Sequence, residues 1–224
     1  AVFHPLISEN SFRQEGWHIE ADSPDGPWQY KGVVFNEMKG VYSSPDACLA
    51  EETQHAVFPD TLYSLESGGR PSDIPSLTYQ AYRDFYSTYY HPSNARFFFW
   101  GDDPEEKRLA IVREELKDYS RRDVDSVIPL QPPFTTPHQV EIPYAVPPEA
   151  KDPKCLFTLN WLLGERTDVE ACITLEMLEN ILEGMPGSPL RRALISSGLG
   201  EDTTGGGLET ELRQMYYSTG LKGI

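Results

Sequence analysis

The chain has 224 residues, of which 39% are apolar and 12% aromatic, and this is enough for the core of one large domain or of two small ones. Its formal net charge of −16 argues against a nucleic-acid partner, because a phosphate backbone requires a basic face. A basic peptide would suit this charge better, and the alternative is that the acidity only keeps the protein soluble. No apolar run approaches the roughly 18 residues that a membrane span needs.

The cysteines are odd in number, widely spaced and free of any C-x-x-C arrangement: Cys48, Cys155 and Cys172. This pattern suggests neither a disulfide framework nor a cysteine zinc site, and it favours a reducing interior. The chain starts at Ala1 without an initiator Met or a charged-then-apolar leader, so we expect the printed sequence to contain no targeting information. Both ends look cut, and we expect an internal piece of a longer polypeptide.

In the first part of the chain, the pattern predicts loops followed by helices. Residues 1–30 are punctuated by proline and glycine, which predicts loops with at most one short strand. Apolar residues at helical spacing then predict a helix over 34–42 that faces a core. Ser44-Pro45 predicts the start of a second helix running toward Phe58, and a short strand is predicted over 62–69.

The middle of the chain predicts two helices with a strand between them. Thr78 is predicted to cap the first helix, which ends at His91-Pro92 because the residue before proline is disfavoured in the α region. The apolar run over 95–100 predicts a strand. Asp103-Pro104 predicts the start of the next helix, with proline at its first helical position.

Residues 123–137 are rich in proline and are predicted to form a stiff linker between two domains. After it, alternation predicts strands over 139–146 and 156–163. Thr167 is predicted to start a helix that ends near Gly184, and Ser188-Pro189 to start another that Gly198 closes. Residues 205–207 predict a loop, and 216–224 a final strand. The fold class expected from these elements is α+β, with mixed, mainly antiparallel sheets and helices packed on one face.

Glu37 is the residue of most chemical interest. Val33, Val34 and Val41 lie three or four positions from it, which places them on the same side of the predicted helix and aims the carboxylate at the interior. A buried carboxylate is costly unless a cation, a metal or several donors receive it. The pattern alone therefore leaves three alternatives open: a metal ligand, a glutamate paired with Arg or Lys, and a glutamate at the margin of the buried face.

Several long blocks carry a resemblance that favours the metal ligand among these alternatives. They are QEGWHIE at 14–20, KGVVFNEMKGVYSSPD at 31–46, SGGRPSDIPSLTY at 67–79, YYHPSNARFFFWGD at 89–102 and SPLRRALISSGLG at 188–200. Together they cover nearly the whole chain, and they resemble the presequence-protease branch of the pitrilysin family of zinc peptidases. The resemblance implies two repeated pitrilysin-like domains, both incomplete here: residues 1–122 would end the first, catalytic domain, and residues 138–224 would begin the second.

The resemblance also implies a zinc site of which this chain holds one part. In that family the two histidines of an H-x-x-E-H motif and a glutamate on a later helix bind Zn²⁺, and the match places that glutamate at Glu37. No two histidines of the chain have this spacing, so the motif is expected upstream and the chain alone should be inactive. Asn36, Gly68 and Gly69 are weaker candidates that would support the ligand or face the substrate, although a plain turn also explains the glycines. Lys39 is expected on the surface.

The implied function is that of a part of a zinc metalloendopeptidase for short unstructured peptides, such as cleaved mitochondrial or plastid targeting presequences. The location would be the mitochondrial matrix or the plastid stroma, and the substrates would be basic, since targeting peptides are rich in Arg and poor in acidic residues. The remainder of the same polypeptide would be needed to close the chamber around the peptide. Two alternatives remain. One is a non-catalytic, peptide-binding homologue or assembly half of the same fold, and the other is a relative with other substrates, such as a parasite peptidase for globin fragments or a bacterial homologue.

Overall fold

The computed structural model describes residues 2–146 and 154–224, and within them the chain divides into two compact units. The first unit comprises residues 1–36 and 71–127, and the second comprises residues 37–70 and 128–224. This division pairs residues 37–70 with the second half of the chain. The boundary at a linker over 123–137, expected from the sequence, remains a proposal.

Helices and one short hairpin form the first unit. The helices are α1 (Glu9–Glu15), α4 (Tyr79–Tyr89) and α5 (Glu105–Leu116), and the hairpin pairs β1 (His18–Glu20) with β2 (Gln29–Lys31). Aromatic side chains tie the early residues to later ones by donating to backbone carbonyls. Trp17 Nε1 donates to the carbonyl of Leu77 over 2.9 Å, and Tyr79 donates its hydroxyl hydrogen to the carbonyl of Ile7 over 2.6 Å.

The second unit is built on a three-stranded antiparallel sheet of β3 (Leu156–Glu165), β4 (Asp202–Glu209) and β5 (Gln214–Lys222). The strand order is β3-β5-β4, so β5 lies in the middle. Three helices pack against this sheet: α3 (Pro45–Val57), α6 (Val169–Glu183) and α7 (Pro189–Ser196). Helix α2 (Val33–Val41) contains the point where the first unit ends and the second begins.

The core of the second unit lies where α3 meets the sheet. Phe58, directly after α3, and Met215 on β5 are the largest fully buried side chains among the described residues. The ring of Phe58 makes an edge-on contact with Tyr216, with the ring centroids 5.8 Å apart. On α6, Glu183 accepts hydrogen bonds from the hydroxyls of Tyr217 and Thr219, which fixes that helix to β5.

Helix starts follow the predicted signals closely because capping is local in the chain. Ser44 and Thr78 accept hydrogen bonds from the backbone N–H groups of Ala47 and Ala81, so each caps its helix as expected. Two starts differ by one residue. Pro104 precedes the first residue of α5 instead of occupying it, and Asp168 rather than Thr167 caps α6.

Several predicted strands are wrong, and the reason is the lack of pairing. Residues 95–100 and 139–146 form no strand, and none of the described strands pairs with them. A strand requires a neighbouring strand that hydrogen-bonds to its N–H and C=O groups. Residues 95–100 have the composition of a strand but no such neighbour, and Phe98 is 86% exposed. Residues 62–69 contain the 3₁₀ helix Leu62–Ser64 in place of a strand.

Two loop predictions are also corrected. Residues 1–30 contain α1 and most of the β1–β2 hairpin, and residues 205–207 belong to β4. The register of β4 with β5 shifts between Thr204 and Gly207, so the glycines form an irregularity inside a strand. The remaining strands and helices of the second unit match their predictions. The expected α+β class with antiparallel sheets is confirmed, and none of the described helices is long and apolar enough to cross a membrane.

Candidate functional site

Glu37 lies on α2 with its side chain exposed to solvent. The buried residues of this helix are Phe35 and Met38, which are 8% and 6% exposed. Because successive residues of an α-helix turn by about 100°, Phe35 and Met38 share one side and Glu37 points away from Phe35. The prediction that the side of the helix carrying Glu37 faces the interior is therefore wrong. Val33 and Val41 on that side are also exposed.

Because the carboxylate of Glu37 is exposed, it does not need the partner that a buried carboxylate would require. The side chain of Glu37 makes no hydrogen bond or ion pair with the part of the chain that the structure describes, and water can solvate it. Asn36 is exposed beside it, and its backbone N–H donates to the carbonyl of Gly32 over 3.0 Å. Lys39 is exposed, as expected. The side of α2 that carries Glu37 is thus largely exposed in the part of the chain that the structure describes.

The structure brings Gly68 next to the helix that carries Glu37. A β-carbon built at Gly68 would lie 3.0 Å from Met38 Cε and 3.2 Å from Met38 Cγ, and closer still to its sulfur. Gly68 therefore packs directly on the side chain that follows Glu37. Gly69 has a φ of +85°, in the left-handed region that only glycine adopts without strain. Its backbone N–H donates to the carbonyl of Glu66 over 3.0 Å, which closes a turn over residues 66–69.

Beside this turn lies a group of polar side chains that the sequence pattern did not reveal. We call it the carboxyl cluster, and its members lie directly after α2, on α3, and in or directly after the turn: Tyr42, Glu51, Glu52, Glu66 and Arg70. Arg70 and Glu52 form an ion pair with 3.1 Å between Nη2 and Oε1. The hydroxyl of Tyr42 is buried and has no hydrogen-bond partner among the described residues. No local signal joins residues so far apart in the chain.

The electrostatics of the carboxyl cluster favour the neutral forms of Glu51 and Tyr42 and the charged form of Glu66. Burial, then the hydrogen bond and charge of Glu66, raise the pKa of Glu51 to about 7. The pKa of Glu66 is lowered, first by the hydrogen bond from Glu51 and then by the N–H of Gly68, which Glu66 Oε1 accepts over 3.0 Å. Burial and the neighbouring Glu51 raise the pKa of Tyr42 to about 12.

The residues present do not by themselves fit a zinc ion. Zinc in proteins takes three or four ligands from His, Cys, Asp and Glu, and among the described residues no group of three such side chains could hold a metal. Two of the histidines are engaged locally: His91 Nδ1 accepts the N–H of Ser93 over 3.1 Å, and His55 Nδ1 bonds the carbonyl of Ser64 over 2.9 Å. His91 thus caps the 3₁₀ helix Pro92–Asn94, and Glu37 can supply only one ligand.

The chain is similar to known proteins in both sequence and structure. Residues 76–222 match the family model described as the peptidase M16 inactive domain. The chain is 42% identical to presequence protease 1, chloroplastic/mitochondrial, of Arabidopsis thaliana, over all of this chain and 21% of that protein. It is 38% identical to the mitochondrial presequence protease of Mus musculus, over all of this chain and 22% of that protein. Protein HypA of Clostridium perfringens is also 38% identical, over 92% of this chain and 22% of its own length.

Among solved structures, an M16-like peptidase from Alicyclobacillus acidocaldarius has a TM-score of 0.53 and 16% identity, with 99% of this chain and 60% of that chain covered. This likeness supports the fold alone. The chain spans about a fifth of the length of the curated relatives it matches. The resemblance stated from the sequence blocks is confirmed at the level of the family, although the matched model begins after Glu37. The chain belongs to the peptidase M16 family, and residues 76–222 correspond to that family's inactive domain.

Proposed function

We propose that this chain is part of a zinc metalloendopeptidase that degrades short unstructured peptides, such as cleaved targeting presequences. The observation that carries the proposal is similarity over the whole chain to presequence proteases at 38–42% identity. The net charge of −16 supports a basic substrate, since targeting peptides are rich in Arg. The names of the same relatives support the mitochondrial matrix or the plastid stroma as its location.

Within this function, Glu37 supplies one carboxylate ligand to Zn²⁺. The two histidine ligands and the rest of the peptide chamber come from the remainder of the same polypeptide. The exposure of Glu37 supports this role, because a ligand that awaits a metal held by other segments must face outward from its own helix. The exposed side of Val33 and Val41 next to it supports the same arrangement, because apolar side chains around a metal ligand limit the access of water once another segment covers them.

The test uses the complete parent polypeptide with Glu37→Gln. Loss of a supporting residue near a metal commonly costs about 10–100-fold in metal affinity or activity, and loss of a direct ligand should cost at least about 100-fold. Zinc content and kcat/KM on a basic, fluorescence-quenched presequence peptide are measured together. The matched control is Glu106→Gln, an exposed glutamate in the first turn of α5, which should keep both values. A Glu37→Gln enzyme with full zinc and full activity would refute the ligand role.

A second candidate is a non-catalytic, peptide-binding member of the family. The observation that favours it is the description of the matched model, whose domain is called inactive, together with the lack of a metal-binding group among the described residues. The coding sequence upstream of Ala1 distinguishes the two. An intact H-x-x-E-H motif there supports the enzyme, and a degenerate motif supports the binding protein. If the parent protein is active, profiling the peptides that it cleaves then distinguishes a presequence protease from a relative with other substrates.

A further inference from the structure

Residues 96–100, which are Arg96 and the aromatic run that ends at Trp100, have no backbone pairing in the part of the chain that the structure describes. None of their N–H or C=O groups hydrogen-bonds to a described residue. Four of the five side chains are large and aromatic. A partner that covers these side chains also removes water from the backbone, and each backbone group then needs a hydrogen-bond partner. A neighbouring β-strand supplies both.

The exposure of the aromatic side chains alternates along this run. Phe97 and Phe99 are 48% and 43% exposed, whereas Phe98 and Trp100 are 86% and 92% exposed. Successive side chains of a β-strand point to opposite faces, so this alternation places Phe97 and Phe99 on one face. Phe98 and Trp100 share the other face, which is open to solvent. The run thus has the side-chain pattern of a strand with one uncovered face.

The half-covered face is held by residues of the first unit itself. The ring centroid of Phe97 lies 6.2 Å from that of Phe3. The guanidinium of Arg108 on α5 lies 5.0 Å from the ring centroid of Phe99, and an ion pair of 2.6 Å with Asp103 fixes this guanidinium. These contacts set the orientation of the run, and the open face is therefore presented in a fixed direction.

A cleft of about 400 Å³ adjoins the end of the run. Its apolar lining includes Phe99 and Trp100 from the run, and Ile111 and Val112 from α5. Ile111 is itself exposed. Together with the open face, the cleft forms a contiguous apolar surface, and such a surface marks a site of interaction.

Two observations identify the segment that covers this surface. A near-continuous apolar run is typical of a strand that is buried on both faces within a sheet, and residues 96–100 offer no carboxylate that could pair with the Arg side chains of a basic substrate. The chain also spans only about a fifth of the length of its curated relatives, so the remainder of a parent polypeptide has room for further strands. An apolar strand of that remainder therefore fits the surface better than a substrate peptide does.

We propose that residues 96–100 pair, as a β-strand, with an apolar strand from the part of the parent polypeptide outside these 224 residues. The partner strand hydrogen-bonds to the unpaired backbone, and its side chains on the open face contact Phe98 and Trp100. This pairing rests on the proposed function only in that the chain is part of a longer polypeptide. It requires neither zinc nor cleavage of a peptide.

The first experiment measures amide hydrogen exchange by mass spectrometry in the complete wild-type parent polypeptide. We expect the amides of residues 96–100 to exchange at least about 100-fold more slowly than those of an unstructured peptide of the same sequence, because paired amides exchange only when the pairing opens. The amides of β5, which are paired in the structure, serve as the protected reference. Exchange of residues 96–100 at the peptide rate would overturn the proposal, and this measurement needs no substitution that could prevent folding.

The second experiment identifies the partner by photo-crosslinking. In the complete parent, p-benzoylphenylalanine is placed at Phe98 in one variant and at Trp100 in another, and the crosslinked peptides are mapped by mass spectrometry. We expect both probes to react within one polypeptide and with the same apolar segment outside the 224 residues, at positions about two residues apart. The control carries the probe at Leu6, which is 97% exposed and lies outside the run, and it should not react with that segment.

The other possible occupants give different results, and each would overturn the proposal. A crosslinked dimer would show that a second copy covers the run. A crosslink, or protection from exchange, that appears only when a basic presequence peptide is added would show a substrate site. A crosslink to residues 1–224 would show that the chain covers itself. A parent that forms the expected crosslink but cleaves no peptide would refute the proposed function and leave the strand pairing intact.

Discussion

Gln131 and Gln214 hydrogen-bond to each other twice. The backbone N–H of Gln131 donates to Oε1 of Gln214 over 2.8 Å, and Nε2 of Gln214 donates to the carbonyl of Gln131 over 3.2 Å. Both residues are buried. The side chain of Gln131 in turn accepts the backbone N–H of Asp60 over 2.9 Å and donates to Asp60 Oδ2 over 2.7 Å. These bonds join the segment after α3 and the segment before β3 to the central strand of the second unit.

Replacing Gln214 by Leu should destabilise the second unit. The change leaves the backbone N–H and C=O of Gln131 buried without partners, and each unsatisfied buried group costs about 1–3 kcal/mol. The free energy of unfolding, from urea titration monitored by tryptophan fluorescence and circular dichroism, should fall by that amount or more. Gln139→Leu is the matched control, because Gln139 is exposed and its loss should change little. A Gln214→Leu chain as stable as the wild type would show that water replaces the lost bonds.

Replacing Gly68 by Ala should also destabilise the second unit, because the new methyl group would overlap the end of the Met38 side chain. Overpacking of this kind costs about 1–3 kcal/mol, reduced to the extent that Met38 finds another rotamer. Gly40→Ala on α2 is the control with the opposite expectation. Nothing lies within 4 Å of a β-carbon at Gly40, so alanine should stabilise the helix by about 0.5–1 kcal/mol. Equal effects from the two substitutions would contradict the packing of Gly68 on Met38.

The three thiols should differ in their reaction with iodoacetamide at mildly alkaline pH. Cys155 is exposed, whereas Cys48 and Cys172 are partly buried. Burial and the nearby carboxylates raise the pKa of Cys48 and Cys172, which lowers the fraction of reactive thiolate. Cys48 in addition donates its S–H to the carbonyl of Tyr42 over 3.2 Å. Peptide mass spectrometry over a time course should therefore find Cys155 modified first, and early modification of Cys48 would show that α3 opens readily.

The isolated 224-residue chain should retain almost no zinc after dialysis. One carboxylate cannot hold the ion against water, and no group of three metal-binding side chains exists among the described residues. Elemental analysis should give a zinc content far below one ion per chain, and Glu37→Gln should leave that value unchanged. A full equivalent of zinc, lost on that substitution, would mean that residues of this chain complete the site around Glu37.

The elements that the sequence predicts well are those whose determinants are local. The caps at Ser44 and Thr78 contact residues three positions away, and the helices begin there. The apolar run over 95–100 fails because a strand depends on a partner that composition does not reveal. The candidate site shows the same limit. The order of residues places Gly68 far from Met38, and the contact between them arises only when the chain folds back.

The position of Glu37 shows a second limit of helical spacing as a predictor. Helical spacing correctly grouped it with Val33 and Val41, but spacing alone does not say which side of a helix is covered. Phe35 and Met38 occupy the buried side of α2. Glu37 and the two valines therefore share one side of the helix, but that side is exposed instead of buried. The carboxyl cluster could not be predicted from the sequence for a related reason. Glutamates are common on exposed helices, and nothing in their spacing marks those that will lie close together in the fold.

The central position of β5 has a consequence for the order in which the protein matures during synthesis. Residues 37–70 belong to the same unit as β5, and the N–H of Arg213, just before that strand, reaches the hydroxyl of Tyr63 across 150 positions of sequence. On the ribosome, α3 and Phe58 therefore emerge long before the strand that covers them. Until β5 arrives, the apolar side of α3 is open to chaperones and to aggregation, and contacts this distant in sequence form slowly.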